Sequence, residues 1–580
     1  MQYLFGPLVS ARSTTFRLWA PSATRLAVIM PDRPAVPMQP EADGWWTAEV
    51  PHTGPGTRYK FRMGDLEFPD PASRRQEGGT SGWSVVCAPL GRPPSPRTRR
   101  PWHETVLCEV HVGTVSPEGT FLGLAARLEH FRDAGYTALE LMPISQFPGD
   151  RNWGYDGTLL FAPHAAYGSR EDLRHLIDRA HALGIAVLLD VVYNHFGSHE
   201  NFIPLYAPEF FDTDAHTPWG AALAFNQPMV RRFFCENAHL LLAEFDFDGL
   251  RLDALHEMKS EGSDQCLVEL TGTARTIKPD AMLVVENMNN TACWLERSAA
   301  GTPTLFTAQW HDEFQHIFSF LVTGDDKNQY GDGSRDPWSI LEHGLTHGLI
   351  DRSGLSHPLG PDALVVYLQN HDQIGNRADS GRLPDRIGAD KLDFVHFVLL
   401  LSPQIPLFFM GEEAHLQTAF PYFLDLPASE AQAMQSGRYR QMRESFGQNV
   451  SEGELPDPNA QATFVWAKLD WTEFDRPERR AALDRFRSLN QWRRSRVWPL
   501  TASRFGKAES HRAGTALVIN WIFEAGVLTM ALNTSASACA IPCIITAPPV
   551  STGDTSQHGD LLHLGPWSAV AWSTITGNGQ

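Results

Sequence analysis

The sequence predicts an α/β protein, a (β/α)8 TIM barrel with an N-terminal β-sandwich and a C-terminal antiparallel β-domain. Three patterns predict this fold. Short strands punctuated by Gly and Pro come first, apolar runs alternate with amphipathic helices in the middle, and strands return near the end. At 580 residues the chain is long enough for about two to four domains.

The first part, residues 1–95, has the spacing of a small β-sandwich. Gly, Pro and Asp separate short strand-like segments, which are TTFRLWAP, RLAVIMP, GWWTAEVP and TRYKFRMG. The segment that follows, GRPPSPRTRRPW at 91–102, is rich in Pro and Arg and predicts a linker. We therefore expect the catalytic part to begin near residue 96.

The middle part, residues 96–498, has eight apolar runs of the kind that form buried parallel strands. In chain order they are VLCEVHVG (106–113), ALELMP (138–143), AVLLDVVYNH (186–195), GLRLDA (249–254), MLVVEN (282–287), LFTAQW (305–310), LVVYLQNHD (364–372) and PLFFMGEE (406–413). Helical patterns lie between them, and the last of these, PERRAALDRFRSLNQWRRS at 477–495, predicts the final barrel helix.

The sequence predicts where the helix between residues 169 and 184 begins and ends. Ser169 can cap it with Asp172 three residues on, and Gly184 ends it. The buried stripe is predicted to be Leu173, Leu176, Ile177, Ala180 and Leu183.

The last part, residues 499–580, predicts an antiparallel β-domain. Its strand-like segments are TALVINWIF, GVLTMALN, SACAIPCIIT and SAVAWSTI.

Composition restricts the possible partners. The formal net charge of −19 disfavours binding to nucleic acid or to an anionic membrane. The N-terminus lacks the pattern of a signal peptide, and no run of about 18 apolar residues predicts a membrane span. The seven Cys residues are scattered and odd in number, which favours free thiols in the cytoplasm. We expect a monomer or a homodimer.

Charged residues gather where the predicted strands end, which is where barrel enzymes carry their catalytic groups. They are Asp190 and His195 in the third run, Arg251 and Asp253 in the fourth, Glu286 in the fifth, and His371 and Asp372 in the seventh. A single strand-terminal Asp often only caps a helix. The whole set is harder to explain structurally, because burying that much charge is costly.

Paired carboxylates suit the cleavage of a glycosidic bond. One attacks the anomeric carbon and the other protonates the leaving oxygen. Separations of about 5 Å give retention and wider ones give inversion, and the sequence does not supply that distance.

Four motifs, each at a strand end, resemble the signature regions of the α-amylase family of retaining glycosidases and transglycosidases. They are DVVYNH (190–195), GLRLDA (249–254), VVEN (284–287) and NHD (370–372). The resemblance implies that Asp253 is the nucleophile, Glu286 the general acid/base and Asp372 the stabiliser of the transition state. It also implies that His195 and His371 bind the sugar, and that Arg251 keeps Asp253 oriented and ionised.

Further segments are similar to those of the maltooligosyltrehalose trehalohydrolase family. They are CEVHVGTVSPEGTF (108–121), NWGYDG (152–157), TPWG (217–220), LQNHDQIGNR (368–377), FFMGEE (408–413) and LPDPNAQATFVWAKLDW (455–471). The resemblance spans essentially the whole chain. It implies cleavage of the α-1,4 bond next to a terminal trehalose, with maltooligosyltrehalose or a related α-glucan as substrate.

The chain departs from this family where the leaving group should bind. Asn287–Asn290 follow the predicted acid, and LHEM follows the predicted nucleophile, so His256 and Glu257 are candidate leaving-group residues. The segment 323–362 is also atypical. These departures leave open a relative that cleaves another α-glucoside or that transfers the sugar, such as a branching enzyme.

Other residues carry weaker expectations. The resemblance places Tyr155 under the sugar at the cleavage point, and Asp312 at the end of the sixth run is a candidate substrate contact. Glu412 and Glu413 either line the mouth or bind neighbouring backbone. Cys539 and Cys543 lack a second ligand pair for zinc, and Asn194 alone does not make a calcium site, so we expect no metal and no cofactor.

A third hypothesis is a glucan-binding protein without catalysis. It predicts that at least one of Asp253, Glu286 and Asp372 is replaced, and all three are present.

Overall fold

The computed structural model describes residues 3–91, 100–298, 301–325, 336–349, 355, 359–444, 450–451 and 453–576. Most of the predicted linker 91–102, and parts of the atypical segment 323–362, lie outside the described residues.

The N-terminal part contains two antiparallel sheets. The first has the order Leu8–Val9, Ser13–Trp19, Trp45–Pro51 and Gln39–Pro40. The second has the order Arg33–Pro37, Ala27–Met30, Arg58–Met63, Trp83–Val85 and Gln76–Glu77, with Leu66–Phe68 paired to Arg58–Met63. Aromatic side chains such as Phe16, Tyr59 and Phe61 are fully buried between them. All four predicted strand segments are therefore confirmed.

Eight parallel strands of the described chain close into a barrel, one from each predicted run. In chain order, and numbered so below, they are Leu107–Val110, Ala138–Leu141, Ala186–Val191, Gly249–Leu252, Met282–Val285, Ala308–Trp310, Leu364–Val366 and Ile405–Phe409. Each strand is shorter than its run. Val112–Val115, at the end of the first run, forms a helical turn instead of continuing the strand.

The helices of the described barrel region lie between these strands in the chain or follow the eighth strand. They are Val112–Val115, Phe121–Ala125, Leu128–Ala134, Arg170–Ala182, Ile203–Tyr206, Pro228–Leu240, Ser263–Ile277, Asp312–Thr323, Pro337–Thr346, His371–Gly375, Leu383–Leu401, Ala428–Glu444, Gln461–Trp466, Pro477–Trp492 and Trp498–Thr501. π-Helical turns at Leu241–Phe245 and Arg493–Val497 extend two of them. Two hairpins project from the loops, Ser145–Gln146 with Leu159–Pro163 and Phe211–Thr217 with Gly220–Leu223. Short 3-10 turns occupy Ala42–Gly44, Trp102–Glu104, Ala165–Tyr167, Pro208–Phe210, Leu255–Glu257, Ala292–Leu295, Pro361–Ala363, Glu412–Ala414 and Trp471–Asp475.

The helix Arg170–Ala182 shows how closely local sequence determines local structure. Ser169 and Asp172 form the predicted reciprocal capping box. Leu173, Leu176, Ile177 and Ala180 are buried, while Leu183 is only half-buried. Gly184 follows with a φ of 73°, a left-handed conformation that glycine adopts without strain.

The C-terminal part is an antiparallel β-domain. Five strands pair in the order Phe505–Ala513, Ala516–Phe523, Gly526–Asn533, Ser568–Ile575 and Val550–Thr552. A second sheet has the order Cys539–Pro542, Leu561–Leu564 and Thr555–His558. The fold class predicted from the sequence is confirmed.

Candidate active site

The barrel interior is apolar in its lower layers and charged near its mouth. Leu107, Leu188, Met282 and Ile405 belong to the apolar cluster inside the barrel. Alternate residues along a strand face the same side, so positions two residues further along each strand point inward nearer the mouth. This explains why the charged residues of the signature motifs meet at one end.

Arg251 lies at the centre of this charged layer and is fully buried. Its Nη1 donates to Asp190 Oδ2 and to Asp253 Oδ1, each at 2.7 Å, and its Nη2 donates to Glu286 Oε2 at 2.9 Å. The guanidinium also lies 3.9 Å from the ring centre of Trp310. One cation therefore links three carboxyls from three strands, and it is not part of a surface salt bridge.

Asp253 is held as an anion. Its Oδ2 accepts a hydrogen bond from Asn194 Nδ2 at 3.1 Å, and its Oδ1 accepts from Arg251. Burial acts to raise the pKa of Asp253, but Arg251, His195 and these hydrogen bonds outweigh burial and lower the pKa below its ordinary value.

Glu286 has the opposite electrostatics. Burial raises the pKa of Glu286 well above its ordinary value; Arg251 acts against this shift, while Asp253 and two other nearby carboxylates add to it. Its side chain is 17% exposed, and its Oε2 accepts from the backbone N–H of Ala254 at 2.9 Å. Two neighbouring carboxyls thus have pKa values shifted apart, which is the pattern of an acid/base pair.

A tight turn at Ala254 positions both carboxyls. The fourth strand ends at Leu252, and Ala254 takes a left-handed conformation with a φ of 41°. This turn directs the Ala254 N–H at Glu286 and leaves the preceding Asp253 beside Arg251.

His371 and Asp372 begin the short helix His371–Gly375 after the seventh strand. His371 Nδ1 lies 2.6 Å from Glu109 Oε1, and its Nε2 lies 3.5 Å from Asp372 Oδ1. Tyr155 stacks on the His371 ring at 5.1 Å and donates from its hydroxyl to Asp190 at 2.7 Å. Asp372 is 39% exposed, so it faces the mouth.

His195 and Asp312 are in the same neighbourhood. His195 Nε2 lies 3.0 Å from the carbonyl oxygen of Tyr155, and Trp219 stacks on the imidazole at 4.2 Å. Asp312 accepts a hydrogen bond from the Tyr367 hydroxyl, and burial raises the pKa of Asp312 to about 6.

The two candidate leaving-group residues lie beyond the Ala254 turn, in the 3-10 turn Leu255–Glu257. His256 Nδ1 accepts from the backbone N–H of Met288 at 3.4 Å, so it borders the segment after Glu286. Glu257 forms an ion pair with Lys259 at 2.8 Å. Met288 is 61% exposed beside them.

Glu412 and Glu413 do not face this site. Glu412 accepts from the backbone N–H of Phe409 at 3.1 Å, and Glu413 is held by His130 and Tyr136. The structure thus assigns them to packing behind the eighth strand.

Two buried carboxyls beside the site were not predicted from the sequence. Glu109 and Glu140 are neighbours on the first and second strands and are each 1% exposed. Burial raises the pKa of Glu140 well above its ordinary value, and its carboxyl oxygens have no hydrogen-bond partner among the described residues. The signal was present, since each is a charged residue inside an otherwise apolar run.

Within the described ranges, no three His, Cys, Asp or Glu side chains are grouped so that they could hold a metal ion. No helix in the same ranges is both long and apolar enough to cross a membrane.

Comparison with family models gives two matches. A model of the α-amylase catalytic domain matches residues 76–218, and a model of carbohydrate-binding module 48, the isoamylase N-terminal domain, matches residues 4–71.

Several curated relatives resemble most of the chain. A malto-oligosyltrehalose trehalohydrolase of Deinococcus radiodurans is 35% identical over 511 residues, which cover 84% of this chain and 82% of that protein. The enzyme of the same name from Saccharolobus solfataricus is 33% identical, and the match covers 80% of this chain and 83% of that protein. A glucan branching enzyme of Streptomyces coelicolor is 36% identical over only 42% of this chain and 36% of that protein.

Solved structures share the fold. A crystal structure from Salmonella typhimurium, designated an α-amylase, superposes with a TM-score of 0.90 at 34% identity and covers 99% of this chain and 100% of that one. An Anoxybacillus pullulanase bound to maltotetraose gives a TM-score of 0.73 at 17% identity, covering 99% of this chain and 87% of that one, which supports the fold alone.

Proposed function

The chain belongs to the malto-oligosyltrehalose trehalohydrolase family, and from this membership we propose that it hydrolyses the α-1,4-glucosidic bond next to a terminal trehalose. The products are trehalose and a maltooligosaccharide shortened at that end. The main observation behind the proposal is the pair Asp253 and Glu286. The Arg251 guanidinium bridges the two carboxyls, and their pKa values are shifted in opposite directions.

The proposed first step is displacement at the anomeric carbon. Asp253, ionised, attacks that carbon while Glu286, protonated, gives its proton to the glycosidic oxygen, so trehalose leaves. A glycosyl ester on Asp253 results. Bridging by Arg251 keeps the two carboxyls close, which favours the separation of about 5 Å that retaining enzymes use.

The proposed second step reverses these roles. Glu286, now ionised, takes a proton from water, and the resulting hydroxide attacks the anomeric carbon and releases Asp253. Asp372, open to the mouth, would bind ring hydroxyls in the distorted sugar, with His371 as a further hydrogen-bonding group. His195 would bind the sugar only by exchanging one of its present ring contacts, which are the Asn194 side chain and the Tyr155 carbonyl oxygen. Tyr155 would provide an apolar face beneath the ring, since it is stacked on His371.

The leaving-group side is proposed to include His256 and Glu257, and Asp312 is proposed as a further substrate contact. Because 42% of the chain also matches a branching enzyme, transfer of the glycosyl group to a sugar hydroxyl is the second candidate function. Both reactions share the first step and differ only in the acceptor.

The remaining expectations stand as proposals. The match over residues 4–71 supports an N-terminal carbohydrate-binding-like domain, with the barrel from residue 96 and the last domain from 499. The seven cysteines are all unpaired, which supports a cytoplasmic location.

The first experiment compares two substrates. The protein is incubated with maltotriosyltrehalose and, separately, with maltopentaose, and the products are resolved by chromatography. We expect free trehalose and maltotriose from the first and little cleavage of the second. Longer or branched products from either substrate would instead identify a transferase.

The second experiment tests the two carboxyls. Asp253→Asn and Glu286→Gln should each lower kcat by about a thousandfold or more, because each removes one partner of the covalent mechanism. Asp70→Asn is the control, since Asp70 is a buried carboxyl in the N-terminal part, bound to Tyr59 and Ala72. Substantial turnover by Asp253→Asn would refute the assignment of the nucleophile.

A further inference from the structure

Glu109 is a buried carboxylate beside the site that the proposed mechanism does not use. It lies on the first barrel strand and is 1% exposed. Its Oε2 accepts from the backbone N–H of His371 at 2.9 Å, and its Oε1 lies 2.6 Å from His371 Nδ1. Both contacts go to one residue on another strand end, so the carboxylate holds both the backbone and the ring of His371.

The other ring nitrogen of His371 remains available to a ligand. Nε2 lies 3.5 Å from Asp372 Oδ1, which is too long for a strong hydrogen bond. Tyr155 stacks on one side of the ring, and Trp153 meets it edge to face at 5.3 Å. The imidazole is thus fixed in plane, with Nε2 next to the carboxylate that faces the mouth.

Resting on the proposed function, we propose that Glu109 is a positioning residue that fixes His371 as a doubly protonated imidazolium, whose Nε2–H donates to the sugar at the cleavage point. The ring touches substrate, and Glu109 acts only through the ring. A neutral His371 bonded through Nδ1 could instead carry no hydrogen on Nε2, and it would then accept rather than donate.

The charges around the ring support this protonation state. Burial acts to lower the pKa of His371, but Glu109 and Asp372 outweigh it and raise the pKa to about 10, with Arg251 opposing them. The other titratable groups facing the ring from neighbouring elements are Glu140, His111 and Tyr155. Burial favours the neutral forms of all three, so Glu109 and Asp372 are the anions that balance the imidazolium.

The test measures kcat/KM from pH 5 to 9 for the full chain and for Glu109→Gln. An amide keeps the shape of the carboxylate but removes its charge, so His371 should lose its second proton within this range. We expect activity to fall about 10- to 100-fold at pH 8, the effect of losing a charge-assisted hydrogen bond, and much less at pH 5.5. Glu109→Asp, which keeps the charge, should restore the wild-type pH profile.

Glu236→Gln is the matched control. Glu236 is also fully buried and accepts from two backbone N–H groups, those of Leu4 and Phe5, far from the site. It should lower the melting temperature without moving the pH profile. A Glu109→Gln profile that is lowered equally at every pH, as for a purely structural residue, would overturn the proposal.

A double variant tests whether Glu109 acts through His371. When His371→Asn is already present, adding Glu109→Gln should change kcat less than about threefold, because the shared interaction is already lost. If Glu109→Gln alone fails to fold, the double variant should fold, since it removes the unpaired group. Failure of both would show a structural role independent of His371 and would refute the proposal.

A thermal measurement needs no substrate, so it separates this inference from the proposed function. A raised pKa means that the stabilisation by His371 is complete below about pH 6.5 and is lost as the pH rises through about 10. Over the range from pH 6 to pH 10, the melting temperature of the wild type should therefore exceed that of Glu109→Gln most at pH 6 and least at pH 10. A difference that stays constant over this range would contradict the inference, even if no trehalose is ever released.

Discussion

At the scale of single residues, Arg251 is the group on which the others depend. It is fully buried and the Asp190, Asp253 and Glu286 carboxyls all contact it, so the guanidinium holds all three side chains in place and the Asp253 anion compensates its charge. Truncating a buried charge network leaves uncompensated charges, at a cost of about 3–5 kcal/mol. The identity of the cation also matters, because a planar guanidinium can bridge two carboxyls along separate N–H directions.

We predict that Arg251→Lys lowers kcat by about a hundredfold or more, although the positive charge is kept. A single ammonium group cannot contact Asp253 and Glu286 at the geometry that the guanidinium fixes. Steady-state kinetics and circular dichroism would check this together. A kcat within threefold of the wild type would show that charge alone suffices.

A second prediction concerns Glu140, whose pKa burial raises well above its ordinary value. A carboxyl with a raised folded-state pKa stays protonated in the folded protein, so folding is penalised progressively as the pH rises above about 4.5. Each unit by which folding raises the pKa of the carboxyl lowers the free energy of unfolding at high pH by about 1.4 kcal/mol. Glu140→Gln should therefore raise the melting temperature at pH 8 and leave it nearly unchanged at pH 4.

Glu140→Leu is the comparison for that experiment. It also removes the titrating group, but it changes the shape of a packed strand position beside Glu109. A melting temperature of Glu140→Gln below that of the wild type at pH 8 would mean that the carboxyl is ionised and bound there.

At this scale, the sequence could indicate the strand-end residues but not their partners. Asp253, Glu286 and Asp372 stand in recognisable motifs at the ends of runs. Glu109 and Glu140 stand inside runs, and their contacts depend on how the first strand aligns with the second and on where the seventh strand ends. The alignment of strands that are distant in the chain cannot be predicted from the spacing of residues within one strand.

At the scale of elements, the turn after the fourth strand links backbone conformation to catalysis. Ala254 has a φ of 41°, which is unfavourable for a residue with a side chain, and its N–H is bonded to Glu286. The strain is held by the packing of Leu252 and Leu255 on either side, both fully or nearly fully buried.

We predict opposite effects of two substitutions at this turn. Ala254→Gly removes the strain and should preserve kcat within about threefold, with a melting temperature equal to or above that of the wild type. Ala254→Val puts a β-branched residue in a left-handed conformation and should lower both stability and kcat, by about 1–3 kcal/mol in stability. Equal kinetics for the two variants would show that this turn does not position Glu286.

Elements differ in how well the sequence predicts them. All eight barrel runs form strands, because parallel strands buried on both faces are apolar throughout. The strands Phe505–Ala513, Val550–Thr552, Thr555–His558 and Leu561–Leu564 were not predicted. Phe505–Ala513 is partly to fully exposed and reads FGKAESHRA, so its residues lack the apolar pattern of a strand and its pairing with Ala516–Phe523 defines it.

At the scale of the whole molecule, the N-terminal sandwich packs against a segment that leads into the site. Phe68 stacks on Tyr206 at 4.6 Å, and Trp19 meets Phe210 edge to face at 5.2 Å. The hairpin Phe211–Thr217 with Gly220–Leu223 follows at once and carries Trp219, which stacks on His195. The sandwich thus supports one wall of the mouth.

We predict that Phe68→Ala weakens substrate binding although it lies outside the barrel. Losing the contact with Tyr206 should loosen the support of the hairpin and raise KM about three- to tenfold, with kcat little changed. Phe16→Ala is the matched control, because Phe16 is equally buried but its ring packs on Tyr59, within the sandwich. Both variants should cost about 3–5 kcal/mol in stability.

Kinetics are measured well below both melting temperatures, so that any difference in KM reports on the hairpin rather than on unfolding. If Phe16→Ala raises KM as much as Phe68→Ala does, the sandwich acts on the site only through overall stability.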